Sequence, residues 1–304
     1  MNDIDLTVSI AGVTLKNPIV TASGTVGNGW EISRYYDLSE LGAVCVKSIT
    51  LNPREGNRPP RIAETPSGIL NSVGLQNKGL DFFLKNDLNN LRKFDTKIIA
   101  NISGGTIEEN CEIAGRLGNE VDLIELNVSC PNVKQGGIAF GTNPAMVKEI
   151  TQRVKDKCKV PLIVKLSPNV TDITETAKAA RQGGADALSL INTLIGMKID
   201  VNTAKPVLAN NIGGLSGPAI RPIAVRMVWQ VACCTDLPII GMGGIISGED
   251  AAEFIIAGAT AVAVGSANIV NPAAGLEIKN QLTDYLKRKG IQSVSKLRGT
   301  VKIN

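Results

Sequence analysis

Histidine is absent from all 304 residues. That removes Ser-His and Cys-His nucleophile pairs, HExxH zinc sites and any imidazole base. Chemistry in this chain must rest on thiol, amine, carboxylate, hydroxyl, backbone or a cofactor. The six cysteines, Cys45, Cys111, Cys130, Cys158, Cys233 and Cys234, form no CxxC. Zinc-ribbon and iron–sulfur ligation within the chain are therefore not expected. No uninterrupted apolar run approaches the roughly 20 residues of a membrane span, so no membrane insertion is expected. The opening MNDIDLTVSIAG has no basic stretch followed by an apolar one. A reducing, cytoplasmic compartment with free thiols is the expectation. The net charge of +4 is small and scattered, which speaks against nucleic-acid binding. With 43% hydrophobic and 20% charged residues, the composition suits a globular protein with a sizeable core.

Short β-branched runs recur. They are Ile19–Gly24, Ala43–Thr50, Lys97–Gly104, Leu123–Cys130, Pro161–Pro168, Ala187–Thr193, Leu237–Ile245 and Ala261–Ala267. Each is almost continuously apolar and ends in polar residues or glycine. Continuous apolarity marks strands buried on both faces, as in a parallel sheet. Helical patterns fill the gaps at Ile107–Leu117, Asn143–Cys158, Gly248–Ala257 and Pro272–Lys289. Asn143 is an N-cap ahead of Pro144 at the first helical position. Eight strands alternating with helices predict an α/β protein, a (β/α)₈ TIM barrel forming one domain over residues 1–304. A doubly wound sheet is the alternative, but no G-x-G-x-x-G follows the first strand.

Ahead of the first strand, Leu6–Val8 and Val13–Leu15 flank Ala11-Gly12 and predict a short β-hairpin plugging the barrel's base. Two connections, Leu51–Leu80 and Leu194–Pro218, are long, and long loops in compact domains are usually lids or binding loops.

Active sites of such barrels lie at the C-terminal ends of the strands. Those ends carry Ser23, Lys47, Ser48, Asn101, Asn127, Cys130, Lys165, Asn192 and Thr193, then Gly243, Gly244, Gly265 and Ser266. The only carboxylate near this ring is Glu125, further down the fourth strand. Asparagine offers donor and acceptor, and lysine offers charge, so the ring suits a planar, anionic, amide-rich ligand. The late glycines, with Gly217 ahead of Pro218, suit a phosphate cradle of backbone N–H groups, although Gly243 and Gly244 equally make a tight turn. A lysine ending a strand commonly snorkels to the rim. Lys47 and Lys165 share one mouth with no acidic partner nearby in sequence, which suits a ligand's charge instead. Asn71 and Ser72, in NSVGLQNKG, equally fit a turn. Cys130, in NVSCPN, is placed near positive charge and suits a nucleophile or base. A lone cysteine is otherwise a small apolar filler, the reading that fits the other five.

Together NVSCPN, NSVGLQN, VKSIT, ANISG, IVKLSP, INT, SGPAI, GMGGI and VGSA resemble the class 1 dihydroorotate dehydrogenases, in order and over essentially the whole chain. Cysteine in NVSCPN resembles class 1, because the membrane-bound class 2 enzymes carry serine there. GLQN resembles the NAD-linked B type, where the fumarate-linked A type typically has GLPN. Lys78 departs from a position where proline is common.

The resemblance implies FMN-dependent oxidation of (S)-dihydroorotate to orotate in pyrimidine biosynthesis, with NAD as final acceptor. It makes Cys130 the base. It assigns the substrate to Lys47, Asn71, Ser72, Val73, Gly74, Leu75, Asn127, Asn192 and Thr193. FMN falls to Ser23, Lys47, Ser48, Asn101, Asn127 and Lys165, with Ile191, Gly217, Gly243, Gly244, Gly265 and Ser266. It also implies a partner subunit carrying FAD and a 2Fe–2S cluster, around a homodimer core within a heterotetramer. No metal is expected in this chain. The rival readings are an FMN barrel acting on dihydropyrimidines such as dihydrouracil, a non-redox phosphate-binding barrel enzyme, and a non-catalytic flavin or ligand-binding module.

Overall fold

In a computed structural model of the chain, residues 4–128 and 141–304 are described. Sixteen strands, numbered in chain order, occur among them. β1 (Val8–Ile10) and β2 (Val13–Leu15) form the expected hairpin, with Val8 paired to Leu15. Ala11 and Gly12 turn the chain at φ 51° and 86°. Ile10 and Leu15 are fully buried. Thr7, Ser9 and Thr14 line a cleft with Thr260, the residue just before the last strand. The hairpin therefore closes the end of the barrel opposite the mouth.

Eight strands close the barrel: β3 (Ile19–Thr21), β4 (Ala43–Cys45), β7 (Lys97–Ile102), β8 (Leu123–Asn127), β9 (Leu162–Lys165), β10 (Ala187–Leu190), β15 (Ile239–Met242) and β16 (Ala261–Val264). All are parallel, and closure comes from β16 pairing β3 through Val262 and Ile19. Every residue of these strands is buried except Lys97 and Asn127, at the start of one strand and the end of another. This is why they read as unbroken apolar runs: one face packs inside the barrel and the other under helices. Each lies inside its predicted run.

The helices Ile107–Leu117, Pro144–Lys155, Gly248–Ile256 and Ala274–Arg288 match their predictions within three residues. Three of the four starts carry a side-chain cap, and that of Ala274–Arg288 has none. Thr106, Asn143 and Ser247 accept from the N–H groups of Glu109, Ala145 and Asp250, a contribution of about 1 kcal/mol per cap. Helices Ile173–Gln182 and Arg221–Ala232 follow β9 and β10, and a continuous helical stretch over residues 80–91 precedes β7. The first crossover departs from strict alternation. Between β3 and β4 the chain makes only two 3₁₀ turns, Trp30–Arg34 and Leu38–Glu40.

The two long connections are not irregular lids. β5 (Ile62–Thr65), β6 (Gly68–Asn71), β11 (Leu194–Met197) and β14 (Ile212–Ser216) form one antiparallel sheet in the order β11-β14-β6-β5. Gly214 pairs with Asn71, joining the loop after β4 to the loop after β10. A small apolar cluster of Ala63, Leu70 and Leu208 packs under it. The remaining pair, β12 (Ile199–Asp200) and β13 (Lys205–Pro206), is a ribbon within the second loop. Among the described residues no helix is long and apolar enough to cross a membrane.

Candidate active site

The mouth of the barrel opens into a cleft roofed by the antiparallel sheet. Its walls bring together Ser23, Lys47, Ser48, Asn71, Val73, Gly74 and Leu75 from the first half of the chain. Asn127, Lys165, Ile191, Asn192, Thr193, Gly217, Gly243, Gly244, Gly265 and Ser266 come from the second half. Residues nearly 250 positions apart thus converge because parallel strands all deliver their C-terminal ends to one rim.

Local hydrogen bonds fix the polar side chains. Asn192 Nδ2 donates to Asn127 Oδ1 at 3.3 Å, linking the ends of β10 and β8. Asn192 Oδ1 in turn accepts from the Thr193 N–H at 2.8 Å. Asn71 Nδ2 donates to the Gly214 carbonyl at 3.3 Å, so the roof sheet itself holds the Asn71 amide over the cleft. Ser23 and Ser48 face one another with hydroxyl oxygens 3.5 Å apart. Gly24, absent from the sequence reading, also lines the cleft. A Cβ there would sit 3.2 Å from Lys47 Nζ, at φ 85°, so glycine gives the ammonium group its room. Ile69 and Ser216, also unforeseen, belong to the roof strands whose existence the sequence did not disclose.

Two predicted residues lie elsewhere. Ser72 is fully buried behind the roof, and its main-chain carbonyl accepts from Asn57 Nδ2. Its neighbours Asn71 and Val73 face the cleft because side chains alternate along an extended segment. Asn101 is also fully buried, one layer below the cleft wall. Cys130 lies outside the described residues. Lys78, the departure from the family pattern, sits over the Phe82 ring at 4.2 Å and is not part of the cleft wall.

Lys165 has no acidic neighbour in sequence, but the fold brings Glu125, forty residues earlier, against it. Its side chain is 7% exposed, and its Nζ lies 4.0 Å from Glu125 Oε1. Glu125, 3% exposed, accepts from Asn101 Nδ2 and Ser189 Oγ, both at 2.6 Å, and from the Cys45 thiol at 3.4 Å. Burial first, and the Glu125 charge second, push the Cys45 thiol well above its ordinary range against the opposing pull of Lys165. Cys45 is thus held protonated and closed to thiolate chemistry. The available signal for Glu125 was its spacing. Two residues before Asn127 on β8, it shares that residue's face and points into the barrel.

The glycine cluster is built for close approach of backbone. Gly217, Gly243 and Gly244 have φ of 105°, 132° and 80°. A Cβ on Gly244 would lie 2.7 Å from the Gly217 carbonyl oxygen, and one on Gly217 would lie 2.7 Å from the Gly68 Cα. A phosphate-bearing ligand fits such a cradle, because glycine lets backbone N–H groups reach it unobstructed. Asn101 Oδ1 is buried and has no hydrogen-bond partner among the described residues. A buried acceptor left over is costly, but this one lies beneath the cleft wall, out of a ligand's direct reach. The glycine cradle, with the Lys165 ammonium in the same cleft wall, fits a phosphorylated cofactor such as FMN. Gly244→Ala should cost on the order of 1–3 kcal/mol through backbone strain. A lowered melting temperature with weaker retention of the phosphorylated cofactor is the expected result. Unchanged retention would remove Gly244 from the cradle.

A family model for dihydroorotate dehydrogenase matches residues 5–286. The chain is 57% identical over 302 residues to a protein of Alkaliphilus metalliredigens named dihydroorotate dehydrogenase B (NAD(+)), catalytic subunit, covering 99% of this chain and all of the relative. A protein of the same name from Desulforudis audaxviator is 55% identical, covering 96% of each chain. Among solved structures, the dihydroorotate dehydrogenase of Eimeria tenella, in complex with ferulenol, superposes with a TM-score of 0.84 at 26% identity. That match covers 97% of this chain and 88% of the other.

Proposed function

The chain belongs to the dihydroorotate dehydrogenase family, and from that premise we propose that it is the FMN-binding catalytic subunit of an NAD-linked enzyme. Its reaction is the oxidation of (S)-dihydroorotate to orotate in pyrimidine biosynthesis. The supporting observation is the convergence of Lys47, Asn71, Asn127 and Asn192 on one cleft above the glycine cradle, in a chain that runs the full length of relatives bearing that name. The chain acts as one barrel domain in the cytoplasm.

FMN supplies the acceptor for the hydride that leaves the substrate ring. The chain's residues do the rest. Gly217, Gly243, Gly244, Gly265 and Ser266 hold the phosphate end. Lys165 would meet the polar edge of the ring system, Asn101 would support it from beneath the cleft wall, and Ser23, Ser48 and Ile191 would border it. Lys47 meets the substrate carboxylate. Asn71, Asn127, Asn192 and Thr193 read its amide edges, and the Val73–Leu75 stretch closes over it. Cys130 takes the proton from the carbon next to the ring carbonyl. A uracil-type substrate has no carboxylate for Lys47 to meet, which favours dihydroorotate over dihydrouracil.

The relatives' name, catalytic subunit, implies a second subunit. No dinucleotide fingerprint occurs in this chain, and no cluster of three or more His, Cys, Asp or Glu able to hold a metal occurs among the described residues. On the family resemblance, the partner would bring FAD and a 2Fe–2S cluster, and two such pairs would assemble as a heterotetramer around a homodimer. Its docking face lies at the rim, where Ile246, Ile269 and Val270 are exposed after β15 and β16 and Ile269 also lines the cleft. One experiment tests the whole reading. The purified chain should be yellow, and anaerobic dihydroorotate should bleach it while dihydrouracil should not. It should then reduce an artificial dye but not NAD until the partner is added. A colourless protein that binds no flavin, or efficient NAD reduction by the chain alone, would contradict it.

A further inference from the structure

Glu125 is the one carboxylate of the described residues buried beneath the mouth, and nothing in the proposed reaction uses it. Its carboxylate has four neighbours, and each constrains it. Oε2 accepts from Ser189 Oγ at 2.6 Å. Oε1 accepts from Asn101 Nδ2 at 2.6 Å and from the Cys45 thiol at 3.4 Å, and lies 4.0 Å from Lys165 Nζ. An ionised carboxylate only accepts hydrogen bonds. Asn101 must therefore turn its NH₂ toward Glu125, which leaves its Oδ1 as the buried acceptor without a partner among the described residues. The same charge anchors the Lys165 ammonium, which lines the cleft. One buried group thus fixes both the Asn101 amide beneath the cleft wall and the cation that Lys165 presents to whatever binds in the cleft.

We propose that Glu125 is a positioning residue for the cofactor: it fixes the orientation of Asn101 and Lys165, and its charge offsets that of Lys165 at the cofactor's polar edge. This rests on the reading that FMN binds in the cleft. The negative charge below Lys165 disfavours extra negative charge on the bound ring system, so it lowers the affinity for reduced FMN relative to oxidised FMN. The glutamine variant reverses this, and it also frees Asn101 to rotate its amide, because glutamine both donates and accepts.

The test compares wild type with Glu125→Gln, Glu125→Asp and Lys165→Met, each stripped of flavin and reloaded with FMN. Binding of oxidised FMN to the apoprotein is followed by fluorescence quenching, and the midpoint potential by equilibrium titration against a reference dye. Glu125→Gln should weaken oxidised FMN about tenfold. It should also raise the ratio of reduced to oxidised affinity about tenfold, a rise of about 30 mV for a two-electron couple. Glu125→Asp keeps the charge but retracts it by one methylene. It should weaken FMN several-fold and leave the potential near that of wild type. Lys165→Met should lower the potential. Glu125→Gln in that background should raise it less than in the wild type if Glu125 acts through Lys165. A folded Glu125→Gln protein with wild-type potential and FMN affinity overturns the proposal. If the glutamine variant does not fold, an aspartate variant with undiminished FMN affinity does the same. Absence of FMN binding by the wild-type apoprotein is a different result, because it removes the cofactor reading itself.

Discussion

Cys130→Ala is expected to lose about a hundredfold to ten-thousandfold in turnover while FMN stays bound, the usual cost of removing a general base. The composition makes the prediction sharp. No histidine exists to take over the proton, and the nearest described thiol by function, Cys45, is sealed beside Glu125 with its proton held fast. The cofactor's contacts come from other strand ends, so the spectrum of the bound flavin should be little changed. Cys130→Ser should retain partial activity displaced to higher pH, because a hydroxyl gives up its proton less readily. In the wild type, the thiol must lose its proton before it can act as the base, so activity should rise with pH and level off once it is ionised. Pre-steady-state reduction by dihydroorotate across pH 6–10 checks both statements. Near-normal reduction by the alanine variant at neutral pH would remove Cys130 from this role.

Lys47→Ala should weaken orotate by roughly ten- to a hundredfold, the effect of losing a charge-assisted hydrogen bond worth about 1.5–3 kcal/mol. The Lys47 ammonium approaches Gly24 in a pocket only glycine leaves open. The ammonium therefore has room at the cleft wall to meet a carboxylate directly. The shift of the flavin spectrum on titration with orotate gives the constant directly. Uracil should bind both proteins alike, because it offers no carboxylate. Equal orotate affinity in the two proteins would place the carboxylate elsewhere in the cleft.

The barrel was legible because burial on both faces leaves an unmistakable trace, as Leu162–Lys165 and Ala261–Val264 illustrate with no exposed position. The roof sheet was not. Its strands IAET, GILN, LIGM and IGGLS are short, three of them contain glycine, and their pairing joins Asn71 to Gly214. No window of local sequence holds that information. Seventeen of the residues expected around substrate and cofactor line the cleft, because strand ends are easily located and the barrel carries them all to one rim. Ser72 and Asn101 miss it for opposite reasons. Ser72 follows the alternation of an extended chain, whereas Asn101 is tied to Glu125, its partner directly across the β7–β8 pair. The bond between β8 and its neighbours that does this depends on tilt and register, which sequence spacing alone does not specify.

Closure of the barrel through Val262 and Ile19 has a consequence for the birth of the molecule. The first barrel strand must wait for the last, almost the whole chain later. At about 5–20 residues per second, that wait on the ribosome is on the order of tens of seconds. Throughout it β3 and its growing neighbours form an open sheet with apolar faces and an unpaired edge, the form of structure most prone to pair with the wrong chain. The hairpin β1–β2 emerges first but has its full set of contacts only once the residues around Thr260 and Val294 exist. The nascent protein is thus obliged to remain unfinished until its C-terminal quarter appears. Truncation anywhere before Val264 should leave a chain that chaperones retain rather than a smaller stable barrel.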